Sequence, residues 1–157
     1  MIKLKFIVVD RTRSSFLKEG EAFYISRLKR YARLEWTEVK PEKITKGKTD
    51  AEILQKEGES IMERIKPGDY LIALDRSGQQ YDSPELADFL RDLSLDIGGW
   101  ICFVIGGPVG VSREIIDRAD RVLSLSRLTL THEMCRIFLI EQLYRAFTIM
   151  EGHRYHR

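Results

Sequence analysis

The sequence predicts an α/β fold, a mainly parallel sheet with helices on both faces. Short apolar runs alternate with longer amphipathic ones along all 157 residues, in the order βαβαβαβαβα. The first run, Lys3-Leu-Lys-Phe-Ile-Val-Val9, passes from alternation into a solid apolar block, as a strand covered on both faces does. The run Trp100–Ile105 stops at Gly106-Gly-Pro-Val-Gly110. A buried strand that ends in glycines at its carboxyl end is where open α/β sheets place ligands.

Each element has its own signal. Ser14 or Ser15 is placed to cap a helix running to about Arg33, with Phe16, Phe23, Tyr24, Leu28 and Tyr31 as its apolar stripe. Leu34–Val39 alternates, which predicts a half-exposed or edge strand ended by Pro41. A lysine-rich loop follows, then Thr49-Asp-Ala-Glu52 with capping-box spacing. That helix carries Ile53, Leu54, Ile61, Met62 and Ile65 and ends before Pro67-Gly68. Tyr70–Asp75 reads as a short buried strand closed by a turn at Arg76–Gln79. Ser83-Pro84 reads as an N-cap with proline at the first helical position, opening a helix to about Leu95. After Trp100–Ile105, Ser112 caps a short helix. Val122–Thr131 begins as a strand, and Thr131 caps a last helix from His132 to about Met150.

Length and composition bound the function. A chain of this size folds as one domain, residues 1–157, and buries roughly 70% of its unfolded surface without a disulfide or metal staple. Cys102 and Cys135 sit in apolar runs and read as reduced core residues of a cytoplasmic protein. No cysteine–histidine spacing suits zinc, so no metal is expected, and no run has transmembrane length. The net charge is only +2, but basic residues cluster at Arg27–Arg33, Lys40–Lys48 and in Arg145, Arg154 and Arg157. The first cluster reads as a solvated helix face.

Four stretches carry candidate chemistry. Gly106–Gly110 lacks the Gly-Lys-Ser/Thr of a phosphate-binding loop and the spacing of a dinucleotide fingerprint, and Pro108 removes an N–H. It suits either a tight strand-to-helix turn or backbone recognition of an uncharged adenosine. In Val122–Thr131, leucines at 123, 125, 128 and 130 alternate with hydroxyl residues that can bond neighbouring backbone. So apolar a connection is expected to pack inside the protein. The last helix is apolar nearly all round, which a central helix explains and a homodimer interface explains better. The tail Gly152-His-Arg-Tyr-His-Arg157 is basic and aromatic, a composition suited to RNA.

Taken together, Ile105-Gly-Gly-Pro-x-Gly110, Leu123-Ser-Leu-Ser126 with Leu128-Thr129, His132, Arg136, Glu141-Gln-Leu-Tyr-Arg-Ala146 and Tyr155-His-Arg157 resemble the RlmH-type ribosomal RNA large-subunit methyltransferases of the SPOUT class. The resemblance covers the whole chain, with departures at Val109, Thr131 and Arg154. It implies a C-terminal trefoil knot, an exception to the rule that chains do not thread loops. It also implies a homodimer, and S-adenosyl-L-methionine bound by Leu74, Gly106, Leu125, Ser126, Arg127, Leu128, Thr129 and Leu130. The implied substrate is N3 of a pseudouridine in helix 69 of 23S rRNA, within the assembled 70S ribosome.

On that resemblance the tail supplies the chemistry. His156 is the expected proton acceptor, with Tyr155 and Arg157 beside it over the partner protomer's cofactor. Arg136, Glu141 and Arg145 are expected to orient that tail. A valine at Gly106 is expected to exclude the cofactor by side-chain bulk. Two rival readings are a non-enzymatic rRNA-binding assembly factor and a SPOUT methyltransferase of tRNA.

Overall fold

The computed structural model describes residues 1–156; Arg157 lies outside the described residues. Five strands form one wholly parallel sheet in the order β2-β1-β4-β3-β5. They are β1 (Ile2–Val9), β2 (Ala32–Val39), β3 (Tyr70–Gln79), β4 (Ile101–Ile105) and β5 (Arg121–Leu123). The helices are α1 (Ser15–Leu28), α2 (Asp50–Met62), α3 (Ser83–Asp96), α4 (Arg113–Arg118) and α5 (His132–Met150). The alternation predicted from the sequence is present throughout. Strand β2 is an edge, paired only with β1.

The sheet has a core on each face. Phe6, Ile72, Phe103 and Ile105 meet Leu90 of α3 and Leu139, Ile140, Leu143 and Phe147 of α5 on one side. Ile7, Leu71, Cys102 and Val104 meet Ile61 and Ile115 on the other. Both strand faces are therefore removed from water, which is why β1 and β4 read as continuous apolar runs. Helix α5 lies between α1 and α3 and also touches the sheet. Its apolar circumference is thus largely used within one chain.

Several boundaries depart from the sequence expectation. Helix α1 ends at Leu28, five residues early, because Tyr31 leaves the helix to stack on Phe147 and strand pairing starts at Ala32. Neither serine side chain caps it. Glu133 of α5 accepts the backbone N–H groups of Arg13 (2.7 Å) and Ser14 (3.0 Å) instead. Phe16 and Phe23, expected in the stripe, are exposed, whereas Leu17 is buried. The cap of α3 is Asp82, in a reciprocal box with Glu85, which moves Ser83 into the helix. The turn expected at Arg76–Gln79 is a bulge inside β3: both Leu74 and Gln79 pair with Leu123, and Ser77 bonds back to Asp75. The caps Thr49, Ser112 and Thr131 are as expected.

Candidate functional site

The carboxyl ends of β3, β4 and β5 open onto one cavity of about 1070 Å3. This is the edge at which parallel sheets bind ligands, and the volume is slightly above the roughly 300–1,000 Å3 usual for small-molecule pockets. Its walls are Leu74–Arg76 from β3, Gly106–Val111 after β4, and the connection after β5. The first turns of α5 and α1 close it, with His132, Met134 and Cys135 on one and Phe16 and Leu17 on the other.

The glycine loop is shaped by its own backbone. Gly110 has φ +85°, and its N–H donates to Gly107 O at 3.0 Å, so the loop folds back on itself. A Cβ at Gly106 would lie 2.1 Å from Gly110 O and 3.0 Å from Val111 Cγ2. A side chain there would strike the loop's own backbone before it reached the cavity, so closure of the loop is a second reason for that glycine beside the ligand clearance expected from the sequence.

The connection after β5 leaves the sheet at once. Ser124 N–H makes a last ladder bond to Gln79 O (2.9 Å). Then Ser124 Oγ donates to Ser126 O (3.1 Å) and Leu128 N–H donates to Ser126 Oγ (3.0 Å). The hydroxyls satisfy the backbone locally, so the strand predicted from Val122 ends at Leu123. Leu123 is buried and Leu125 and Leu130 are half-buried, but Leu128 is 75% exposed. The expectation that all four leucines bury is therefore wrong for Leu128, which lies over the cavity. Arg76 donates to Thr129 Oγ1 at 3.3 Å, tying this wall to β3.

Of the predicted cofactor residues, Leu74, Gly106, Leu125, Ser126, Leu128, Thr129 and Leu130 line this one cavity. Arg127 does not: the Ser126 turn leaves its side chain exposed. His132 lines the cavity as well, though sequence reasoning gave it no role. Its signal was its place directly after the capping Thr131.

The predicted catalytic residues divide into two groups. Tyr155 and His156 fold back along α5. Tyr155 Oη donates to Glu141 Oε1 (3.2 Å), its ring packs edge-on against Tyr144, and Arg145 donates to His156 Nδ1 (3.3 Å). Arg145 is itself held by Glu141 at 2.6 Å. Burial, with Tyr24 and Glu141 nearby, pushes the Tyr155 phenol upward, so it acts as a hydrogen-bond donor. At about 1.5 Å per residue, Glu141 lies about 13 Å along α5 from His132. No described tail residue lines the cavity of its own chain.

Arg136 is not with the tail. It is fully buried, donating to Thr12 Oγ1 (2.9 Å) and Val9 O (2.6 Å), while Thr12 donates to Glu21 Oε2 (2.6 Å). The expectation that it orients the tail is corrected: a guanidinium buried on the sheet-facing side of α5 pairs with the end of β1. There it fixes the β1–α1 connection that leads into the cavity wall. Among the described residues, no group of His, Cys, Asp or Glu is placed to hold a metal, and no helix is long and apolar enough to cross a membrane.

The sequence profile described as "Predicted SPOUT methyltransferase" matches residues 2–156. The chain belongs to the SPOUT methyltransferase family. Among its relatives in sequence, Ribosomal RNA large subunit methyltransferase H of Carboxydothermus hydrogenoformans is 40% identical over 99% of this chain and 100% of the relative. The protein of the same name from Oenococcus oeni is 40% identical over the full length of both. The probable methyltransferase from Bordetella pertussis Tohama I has a similar fold, with TM-score 0.59 at 14% identity over 92% of this chain and 94% of that one. A probable rRNA-methyltransferase from Porphyromonas gingivalis gives 0.51 at 13% identity, over 95% of this chain and 70% of that one. For this SPOUT family member, cavity, glycine loop and post-β5 connection form a single structural unit.

Proposed function

We propose that this protein methylates large-subunit ribosomal RNA with S-adenosyl-L-methionine as donor. The observation that carries the proposal is the convergence of Leu74, Gly106, Leu125, Ser126 and Leu128–Leu130 on one cavity. The residues suit that donor. Among the described residues no lysine lines the cavity, and Pro108 leaves a gap in the loop's N–H groups, so a polyphosphate is poorly served. Leucine side chains and a glycine loop with little side-chain bulk instead suit an adenosine. When bound, the donor supplies a methyl group activated on a sulfonium.

The finer reading keeps the acceptor as N3 of a pseudouridine in helix 69 of 23S rRNA, within 70S particles. The imide N–H must lose its proton for the nitrogen to become a nucleophile. In this reading two copies form a homodimer, and His156 of one tail takes that proton over the cavity of the other. Glu141 and Arg145 hold Tyr155 and His156 for this task, and the separation of the tail from its own cavity favours action in trans. Residues 124–131 would close the trefoil knot.

The test is mass spectrometry of rRNA and tRNA from a strain lacking the gene, with recovery by the purified protein on 70S particles. Loss of one methyl group from 23S rRNA alone is expected. A methyl group lost from tRNA, or no change in either RNA, refutes the proposal. Efficient recovery on naked 23S rRNA would refute the ribosome requirement.

A further inference from the structure

We propose that His132 makes the cavity discriminate between the cationic sulfonium donor and the neutral thioether left after methyl transfer, by staying uncharged while the donor is bound. The inference rests on the reading that this cavity takes S-adenosyl-L-methionine.

Among the described residues, five groups capable of charge line the cavity: Asp75, Arg76, His132, Glu133 and Cys135, whose thiol is kept protonated by burial. With the imidazole neutral, the two carboxylates and one guanidinium leave a single net negative charge. The donor carries one net positive charge, because its sulfonium adds to a zwitterionic amino acid. The thioether product carries none. A neutral His132 therefore gives the lining a charge complementary to the donor. A protonated one cancels that charge and places a second cation in the same cavity.

The position of His132 is fixed from three directions. Thr131 Oγ1 accepts Met134 N–H at 3.2 Å and sets the start of α5. Glu133 binds the amides of Arg13 and Ser14, and Arg136 binds Thr12 and Val9 O. The imidazole thus stands half-buried at the helix N-terminus, where the helix dipole opposes positive charge. Arg136 is one turn further along the helix. The charged and titratable groups around it are Glu133, Cys135 and Arg136 on its own helix, Asp10 on the β1–α1 connection, and Asp75 and Arg76 on the β3 wall of the cavity. Burial and Arg136 lower its proton affinity, and the nearby Glu133 and Asp10 offset this only in part. His132 is consequently the neutral form near pH 7.

The linkage has a definite sign. Protons and donor compete, so donor affinity is full above the His132 titration and falls as pH drops through it. Product affinity lacks this dependence.

The experiment is calorimetry of S-adenosyl-methionine and S-adenosyl-homocysteine between pH 5 and 8, on the full chain and on His132→Gln. NMR titration of the His132 ring in the unaltered protein accompanies it. Donor affinity should fall on the order of tenfold across the titration, while homocysteine-form affinity changes little. His132→Gln should remove the donor's pH dependence. In the unaltered protein, adding donor should lower the ring's titration midpoint and adding product should leave it in place. Equal pH dependence for both ligands, or a midpoint that moves equally with both, overturns the inference. Binding of neither ligand at any pH overturns the donor reading and this inference with it, whereas donor binding with a flat profile overturns this inference alone.

Discussion

Two buried carboxyl groups in this molecule are shifted in opposite directions, and the difference is their partners. Asp69 receives Lys5 Nζ at 3.1 Å, Lys66 N–H at 3.0 Å and Trp100 N–H at 3.3 Å. Burial alone would raise its proton affinity, but those donors outweigh it and hold the group below the ordinary carboxylate range. Glu57 is 4% exposed, and only one of its oxygens has a partner, the N–H of Glu42 at 3.0 Å. Burial pushes Glu57 upward; the Glu42 amide opposes this, and the charges of Glu42 and Asp10 add to it. A raised carboxyl binds more protons folded than unfolded, so folding loses stability as pH rises through the interval and the deficit persists above it. Glu57→Gln should therefore be more stable than the unaltered protein at pH 8, by about 1 kcal/mol, with the advantage vanishing near pH 4. Urea denaturation at the two pH values measures this. An equal difference at both would show that ionisation of Glu57 is not the cause. The unpartnered oxygen faces the glycine loop, where a Cβ on Gly107 would come within 3.7 Å of it, so this carboxyl supports the cavity from behind.

At the scale of the element, the loop after β4 is the piece on which the cavity depends. Its glycines serve closure of the loop before they serve any ligand, since Gly106 has no room for a Cβ against Gly110 O. Gly106→Ala should thus cost more than about 2 kcal/mol of stability as well as weakening donor binding. Calorimetry paired with chemical denaturation separates the two effects. A Gly106→Ala protein with unchanged denaturation midpoint and lost binding would leave ligand clearance as the explanation. This loop also marks how far the sequence could be read. Strand β4, its terminal glycines and the caps Ser112 and Thr131 were all legible, because period and cap chemistry are local. The end of α1 was not, since Tyr31 changes element through stacking on Phe147, a contact across the fold. Nor was the anchor of the chain leading into α1, the Glu133 carboxylate that holds the amides of Arg13 and Ser14. The hydroxyls of 124–131 were seen as backbone partners, but their turns break the strand pattern that the leucines suggest. Seven of the eight cofactor residues implied by the family motif do line the cavity, whereas Arg136 was misplaced because its partners are Val9 at the end of β1 and Thr12 just after it.

For the whole molecule, the question is whether one chain suffices. The apolar girth of α5 was the reason to expect a dimer, yet α1, α3 and the sheet cover most of it. What remains is narrower: Met134 and Phe138 on α5 are 40% and 39% exposed, and Phe16 and Phe23 on the adjoining α1 are 70% and 50% exposed. Phe16 and Met134 also border the cavity, so a second copy seated there would bring its surface to the ligand. The proposed homodimer therefore rests on the first half of α5 with α1. Phe138→Glu should yield a folded monomer in sedimentation, because a charge at the centre of an apolar contact costs several kcal/mol while Phe138 itself contributes little to the core. Action in trans adds a sharper expectation. A chain lacking Tyr155–Arg157 and a chain with its cavity filled by Thr129→Trp should each be inactive as homodimers. Each mixed dimer would then hold one tail and one cavity that work together. At equal mixing, half of the dimers are mixed with one working site in two, so methylation should return to about a quarter of the unaltered rate. A mixture as inactive as its components, with exchange of subunits confirmed by sedimentation of a size-tagged chain, would mean that tail and cavity do not meet across the dimer. Recovery abolished by adding Phe138→Glu to both chains would identify this face as the one that joins them.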